Sequence, residues 1–253
     1  MRFFALLLLI WPCLAVAQNE GIVADLSQRR VSITTNFTGS EIIIFGAVKR
    51  ETPISAADPL DVIITVAGPE QAVTVRKKER VAGIWVNTQE QEIDSAPSFY
   101  AVMTTAPLDD ILSETEDLRF RITKTKVIRA VDGGAERDIE GFTEALIRIR
   151  QGEDIYQLNE SVVAFLDATL FRSQVRLPAN LTEGDYETTI YLMRNKEVVS
   201  RHVTQIEVNK VGLERFLYNL AHQQPLIYGI MSLVIAIAAG WMASAAFRVL
   251  RSG

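Results

Sequence analysis

The sequence predicts a mainly β domain, interrupted by helices and followed by one membrane-spanning helix. Three observations carry this expectation. Short β-branched runs divided by Gly and Pro turn signals occupy Gly21 to Asn87 and return from Leu170 to Val208. Between them, apolar residues recur at helical spacing. Near the C-terminus, Leu226 to Phe247 contains no charged residue.

Met1 to Ala17 reads as a signal peptide. Arg2 supplies the positive start, an apolar run follows from Phe3, and Ala15, Val16 and Ala17 form an A-x-A-like cleavage site before Gln18. The apolar run is shorter than the roughly 20 residues that span a bilayer. Cleavage would remove Cys13, the only cysteine, so neither a disulfide nor a thiolate metal site is expected in the mature chain. It would also remove Arg2, leaving 25 basic against 31 acidic residues. An acidic chain in such a location is not expected to bind nucleic acid.

The domain is expected from Gln18 to Lys210. Its first strands are Val31–Thr35, Glu41–Val48, Leu60–Ala67, Ala72–Val75 and Gly83–Val86, separated by Thr38-Gly39, Asp58-Pro59 and Gly68-Pro69. Ala106 to Asp167 reads as a largely helical insertion. Leu108–Leu118 is acidic with Leu/Ile spacing, Phe142–Gln151 places Ala145, Leu146 and Ile149 on one face, and Ser161–Leu166 continues as helix. Leu118 to Val131 is open to either helix or strand. Strands return at Leu170–Leu177, Tyr186–Met193 and Val198–Val208, with Asn195-Lys196-Glu197 turning the last hairpin. Gly184 and Tyr186 open a strand after a polar loop, as at the tyrosine corner of immunoglobulin-like sandwiches, where the hydroxyl bonds back to the loop backbone. The expected fold is therefore an immunoglobulin-like antiparallel sandwich with a helical insertion. The alternative is two small sandwiches flanking the helices.

Val211 to Gln224 places Leu213, Phe216, Leu217 and Leu220 on one helical face, which predicts an amphipathic juxtamembrane helix. Pro225 to Phe247 is the transmembrane helix, with Pro225 at a tolerated first position and Tyr228 and Trp241 toward opposite ends. Arg248 and Arg251 lie in the tail, residues 248–253, which places that tail in the cytoplasm and the bulk of the chain outside it. Ser232, Ala236, Gly240 and Ser244 recur every four residues and form a small-residue ridge suited to contact with a membrane-protein partner or a second copy.

Catalytic signals are sparse. His202 and His222 have no ligand cluster near them in sequence, and no nucleophile motif or phosphate loop is present. Asp109 and Asp110 fit the start of a helix dipole. No enzyme activity, metal or cofactor is expected. Arg76, Lys77, Lys78 and Arg80 form the densest basic cluster, at a strand end and hairpin, and would suit an anionic partner or headgroups. Trp85 is expected in the core of the sandwich. The triplets beginning at Asn36, Asn159 and Asn180 fit the glycosylation pattern, which matters only in a eukaryotic secretory route.

Several segments together resemble a known family. They are FTGSEIIIFG (Phe37–Gly46), VRKKERVAGIWVN (Val75–Asn87), SFYAV (Ser98–Val102), LFR (Leu170–Arg172), LPAN (Leu177–Asn180), Gly184-x-Tyr186, KVGLERF (Lys210–Phe216), QPLIYG (Gln224–Gly229) and AGW (Ala239–Trp241). In content and order they resemble the Alph-Pro-TM family of alphaproteobacterial transmembrane proteins. The resemblance implies a bacterial inner membrane, a periplasmic domain and no use for the Asn triplets. It brings no catalytic residues to transfer. It also implies a loose association with sulfite-exporter-type permeases. The expected function is a periplasmic binding or scaffolding domain on a single-pass anchor, an accessory of a membrane transporter or envelope complex. The alternative is a small-ligand-binding or sensing domain with a pocket beneath the insertion; a hydrolase ranks last.

Overall fold

The computed structural model describes residues 21–49, 59–130, 139–166, 169–212 and 220–251. The signal peptide, half of the expected juxtamembrane helix (residues 213–219) and the last two residues lie outside them.

The first strands are β1 (Gly21–Leu26), β2 (Arg30–Ile33), β3 (Ser40–Lys49), β4 (Leu60–Ala67), β5 (Glu70–Val81), β6 (Ile84–Pro97) and β7 (Tyr100–Thr104). Helices α1 (Leu108–Ile111), α2 (Glu114–Phe120), α3 (Lys124–Val127) and α4 (Ile139–Gly152) follow. Then come β8 (Tyr156–Asn159), β9 (Ala164–Leu166), β10 (Leu170–Leu177), β11 (Gly184–Arg194), β12 (Glu197–Lys210) and the terminal helix α5 (Pro225–Arg251).

The protein is mainly β. One sheet has the order β1-β3-β10-β9, a second has β2-β12-β11-β4-β7-β8, and β5 pairs with β6 alone. The late strands complete sheets begun by the early ones: β10 pairs with β3, and β11 with β4. Ile42, Ile44, Phe171 and Val175 of the first sheet share one core with Val62, Ile64, Ile190 and Ile206 of the second. The pairing and the shared core describe one sandwich, not two. Two pairings depart from the antiparallel expectation, β2 with β12 and β7 with β8, each at an edge of the larger sheet.

Strand β10 alternates buried and exposed residues along its length, as a strand with one solvated face should. Strand β4 does not: Val62, Ile63, Ile64, Thr65 and Val66 are all buried. Its second face is covered by the insertion. Ile63 and Tyr191 are register partners, and Phe120 of α2 meets the Tyr191 ring edge-on at 5.6 Å. The insertion also clasps the last hairpin, where Val198 N–H donates to Glu116 Oε2 at 3.1 Å and Lys196 Nζ to the Asp109 carbonyl at 2.8 Å. Asn195 and Lys196 turn that hairpin with positive φ values of 50° and 67°, the geometry of a two-residue primed turn.

The insertion is shorter in helix than the spacing suggested. Ser161–Leu166 is not helical; Ala164–Leu166 forms β9 against Leu170–Arg172 of β10. Among the described residues from Leu118 to Ala130 the chain is helical in α2 and α3, with an isolated bridge from Arg129 to Ser95. Asp109 and Asp110 lie in the first turn of α1.

Tyr186 is fully buried, and its hydroxyl donates to the Thr182 carbonyl at 2.8 Å, the back-bond expected of the loop before β11. Two other buried tyrosines donate likewise, Tyr100 to Ile122 and Tyr156 to Pro97. Burial pushes the Tyr186 phenol up to about 12 from its ordinary 10.0, and raises Tyr100 and Tyr156 as well. A phenol whose folded pKa lies above its unfolded value stabilises the fold fully below the unfolded value. That contribution is lost as pH rises through the folded value. Stability is therefore expected to hold up to about pH 10 and to fall between there and about 12. Unfolding and the ionisation of Tyr100, Tyr156 and Tyr186 should rise together; any of these three ionising at the ordinary pKa in a folded protein would contradict this.

Candidate functional site

Two features project from the sandwich, an extended β arm and a membrane helix. The arm prolongs the central ladder. Strands β4 and β7 pair up to Ala67 and Tyr100. Gly68 N–H then donates to the Phe99 carbonyl at 2.8 Å and Ser98 N–H to the Pro69 carbonyl at 2.9 Å. The ladder resumes at once with Glu70 opposite Pro97. Two register shifts, near Val73 and near Lys78, twist the ribbon further.

At its root the arm is packed. Val75, Ile93 and Ala96 are buried, Phe142 of α4 joins the same core, and Ser95 and Arg129 exchange backbone hydrogen bonds. From Arg76 to Glu90, in contrast, every residue is exposed. At about 3.3 Å per residue, the stretch Arg76 to Val81 extends roughly 20 Å. Ala82 and Gly83 turn the tip with φ values of 51° and 88°.

The sequence placed Trp85 in the core, and the structure corrects this: the side chain is 70% exposed, opposite Arg80 at the arm's end. An aromatic flanked by Ile84 and Val86 has the composition of a buried strand. Only the length of the ribbon beyond its packed root shows otherwise. Val81, Ile84 and Val86 are exposed too. Alternation puts Lys78, Arg80 and Trp85 on one face of the ribbon and Val81, Ile84 and Val86 on the other. All four basic residues of the predicted cluster thus line the arm. Arg76 pairs with Glu90 at 3.2 Å and Lys77 with Glu79 at 3.1 Å. Neither Lys78 nor Arg80 is ion-paired among the described residues, and Arg80 Nε donates to the Gly83 carbonyl at 3.4 Å.

The arm and the last strand before the anchor leave the sandwich at the same end. Both β4 and β12 run antiparallel to β11, so both exit where β11 begins. Contact confirms it: a Cβ on Gly184, the first residue of β11, would lie 3.0 Å from Pro69 Cγ at the arm's root. Gly184 pairs with Val208, two residues before β12 ends.

Helix α5 begins at Pro225, and the Gln224 carbonyl accepts from Tyr228 N–H at 3.1 Å. Residues 220–223 are helical and run up to it. Pro225–Ser244 is long and apolar enough to cross a membrane, with mean hydropathy 2.1 and none of it buried in the fold. The helix continues through Arg248 to Arg251. Gly229, Ser232, Ala236, Gly240 and Ala243 fall within about a quarter of its circumference, and Ser244 lies at the margin because each four-residue step drifts by about 40°. Val234 and Trp241 occupy the opposite side together with Ala238, and Leu233 falls between Gly240 and Ser244 at the ridge's margin. The Ser232 hydroxyl donates to the Gly229 carbonyl at 2.9 Å, so it is satisfied within its own helix.

An open polar cleft of about 900 Å³ separates β8 from β10, lined by residues including Gln157, Asn159, Arg172 and Arg176. Asp154 to Ala164 of the insertion form part of its wall, and a second hollow of about 360 Å³ lies between Phe120, Arg121 and Val127 of the insertion and Thr65, Tyr191 and Arg201 of the larger sheet, so the ligand-binding alternative, which placed a pocket between insertion and sandwich, has two candidate hollows. Gln157 Nε2 bridges the larger by donating to the Arg176 carbonyl at 2.9 Å. Among the described residues, no group of three or more His, Cys, Asp or Glu is arranged to hold a metal. His202 lies in β12 and His222 in the helical turn before α5, far apart in sequence.

These features define a mainly β membrane protein with one C-terminal helix fit to cross the bilayer. The chain belongs to the family described as "Putative transmembrane protein (Alph_Pro_TM)", whose model matches residues 21–249. No curated protein matches it in sequence. Among solved structures it is similar to the crystal structure of Spo0M, sporulation control protein, from Bacillus subtilis, with a TM-score of 0.30 and 8% identity. That likeness covers 81% of this chain, which spans 55% of the length of the other.

Proposed function

We propose that this is a non-enzymatic, single-pass inner-membrane protein. Its sandwich stands in the periplasm as a binding or scaffolding module, accessory to a membrane transporter or envelope complex. The supporting observation is the small-residue face of α5, formed by Gly229, Ser232, Ala236, Gly240 and Ala243. Such a face admits a second helix closely enough for dispersion contacts, which replace the missing hydrophobic drive in lipid. The rest of the helix then meets acyl chains. A transporter, with many helices of its own, offers such a partner, and the family resemblance suggests a sulfite-exporter-type permease.

Gly240→Leu is expected to lower crosslinking to a partner or a second copy in native membranes, by about fivefold for an interaction of ~1 kcal/mol. Val234→Leu, on the opposite side, should leave it unchanged. Equal crosslinking in Gly240→Leu and the parent would overturn the proposal.

A further inference from the structure

We infer that the β5–β6 arm is a second membrane contact: its basic face and Trp85 tip dock on the anionic headgroups of the bilayer that α5 enters. The inference rests on the membrane anchor proposed above but not on any partner for α5.

The shape of the arm fits a bilayer interface. The tip Val81–Val86 is a run of six uncharged residues, and the nearest charges behind it, apart from Glu79, are Arg80, Lys78 and Lys77. An indole prefers the headgroup level, where its ring is apolar and its N–H finds acceptors. Lysine and arginine stems reach along the same depth and leave their charges at the phosphates. Depth is limited by the backbone. The inner edges of the ribbon are paired from Lys78–Asn87 to Val81–Ile84, but its outer edges carry unpaired polar groups that the hydrocarbon core would not satisfy. The arm is therefore built to rest in the interface and not to cross it.

Charge points the same way. The chain carries a net charge of −5, so most of its surface is repelled by an anionic leaflet. Screening confines that repulsion to roughly 10 Å. Between Arg76 and Glu90 four basic residues face only two carboxylates, Glu79 and Glu90. An arm about 20 Å long can present these charges while the acidic body stays beyond the screening length. The arm also leaves from the end of the sandwich at which β12 runs out toward α5, as the Pro69–Gly184 contact shows. Its tip is thus tethered to the membrane by the same chain.

The test uses the full-length protein in vesicles, with Trp11→Phe and Trp241→Phe so that Trp85 is the sole tryptophan. Vesicles contain phosphatidylcholine alone or mixed with phosphatidylglycerol, each with lipids brominated near the top of the acyl chain. In the mixed vesicles, Trp85 emission is expected to shift blue and to be quenched by the brominated lipid. Lys78→Gln and Arg80→Gln should each weaken the contact about fivefold, with the circular dichroism spectrum unchanged. Unquenched emission in both lipids overturns the inference. Equal quenching in both, insensitive to the two substitutions, overturns the role of anionic headgroups. A blue shift without quenching that grows with protein concentration means that the tip docks on a second copy instead, and overturns it as well. Crosslinking through Gly240 is independent of all these outcomes, so the two proposals fail separately.

Discussion

Gly46→Ala is expected to destabilise the sandwich by about 3 kcal/mol, at the upper end of the cost of overpacking a core. Gly46 lies in β3 directly between Ala24 of β1 and Phe171 of β10. A Cβ there would stand 2.5 Å from Phe171 Cζ, 2.6 Å from the Val23 carbonyl oxygen and 2.9 Å from Ala24 Cβ. The first obstacle is the end of a ring that is 2% exposed and has nowhere to swing; the second is backbone. Alanine in place of glycine normally gains about 0.5–1 kcal/mol in a strand by restricting the unfolded chain, but here the clash is larger. Urea denaturation of the purified protein measures the loss. Phe171→Leu removes the ring tip, so adding Gly46→Ala to that variant should cost less than adding it to the parent. A neutral Gly46→Ala would show that β1 and β10 separate freely around this position.

The second large effect is expected at Asp117, a buried carboxylate that joins α2 to α3. Its Oδ1 accepts from Ile122 N–H at 3.0 Å and Thr123 N–H at 2.7 Å, and its Oδ2 accepts from the Thr123 hydroxyl at 2.6 Å. Truncation to alanine leaves two backbone donors without partners in a region where Ile122 is fully buried. Each such donor costs about 1–3 kcal/mol, so Asp117→Ala should lose roughly 3 kcal/mol. Asp117→Asn keeps one acceptor oxygen for the backbone donors and should lose about half as much. The effect should also be local. Because the Tyr100 hydroxyl donates to the Ile122 carbonyl, loosening the α2–α3 turn exposes the outer face of β7. Hydrogen exchange in residues 108–127 should accelerate before the rest of the sandwich responds. Uniform acceleration through the sheets would refute the local role.

Much of this architecture is legible in the sequence where a physical signal is local. Strand β10 alternates cleanly, Tyr186 follows a loop that gives it a carbonyl to bond, and Asn195-Lys196 carries its turn. The signals that mislead are those that depend on distant partners. Ile84-Trp85-Val86 has the composition of a core strand, and nothing nearby says that no sheet covers it. Ala164–Leu166 is too short to show a period, and becomes a strand only because Leu170–Arg172 lies beside it. The parallel pairing of β2 with β12 joins residues at opposite ends of the domain, which no local pattern announces. The basic cluster was readable as a cluster, but its company with an exposed tryptophan was not. The small-residue spacing of α5 was readable outright, since a helix needs only its own period to define a face.

The unbroken ladder from the arm into the sheet has a mechanical consequence. A tug on the tip along the ribbon is delivered to β4 and β7 together, which are held by β11 on one side and β8 on the other. Those two ladders then bear the load in shear, with many hydrogen bonds strained at once instead of being unzipped in turn. The appendage is thus a lever fixed in two interior strands of the larger sheet.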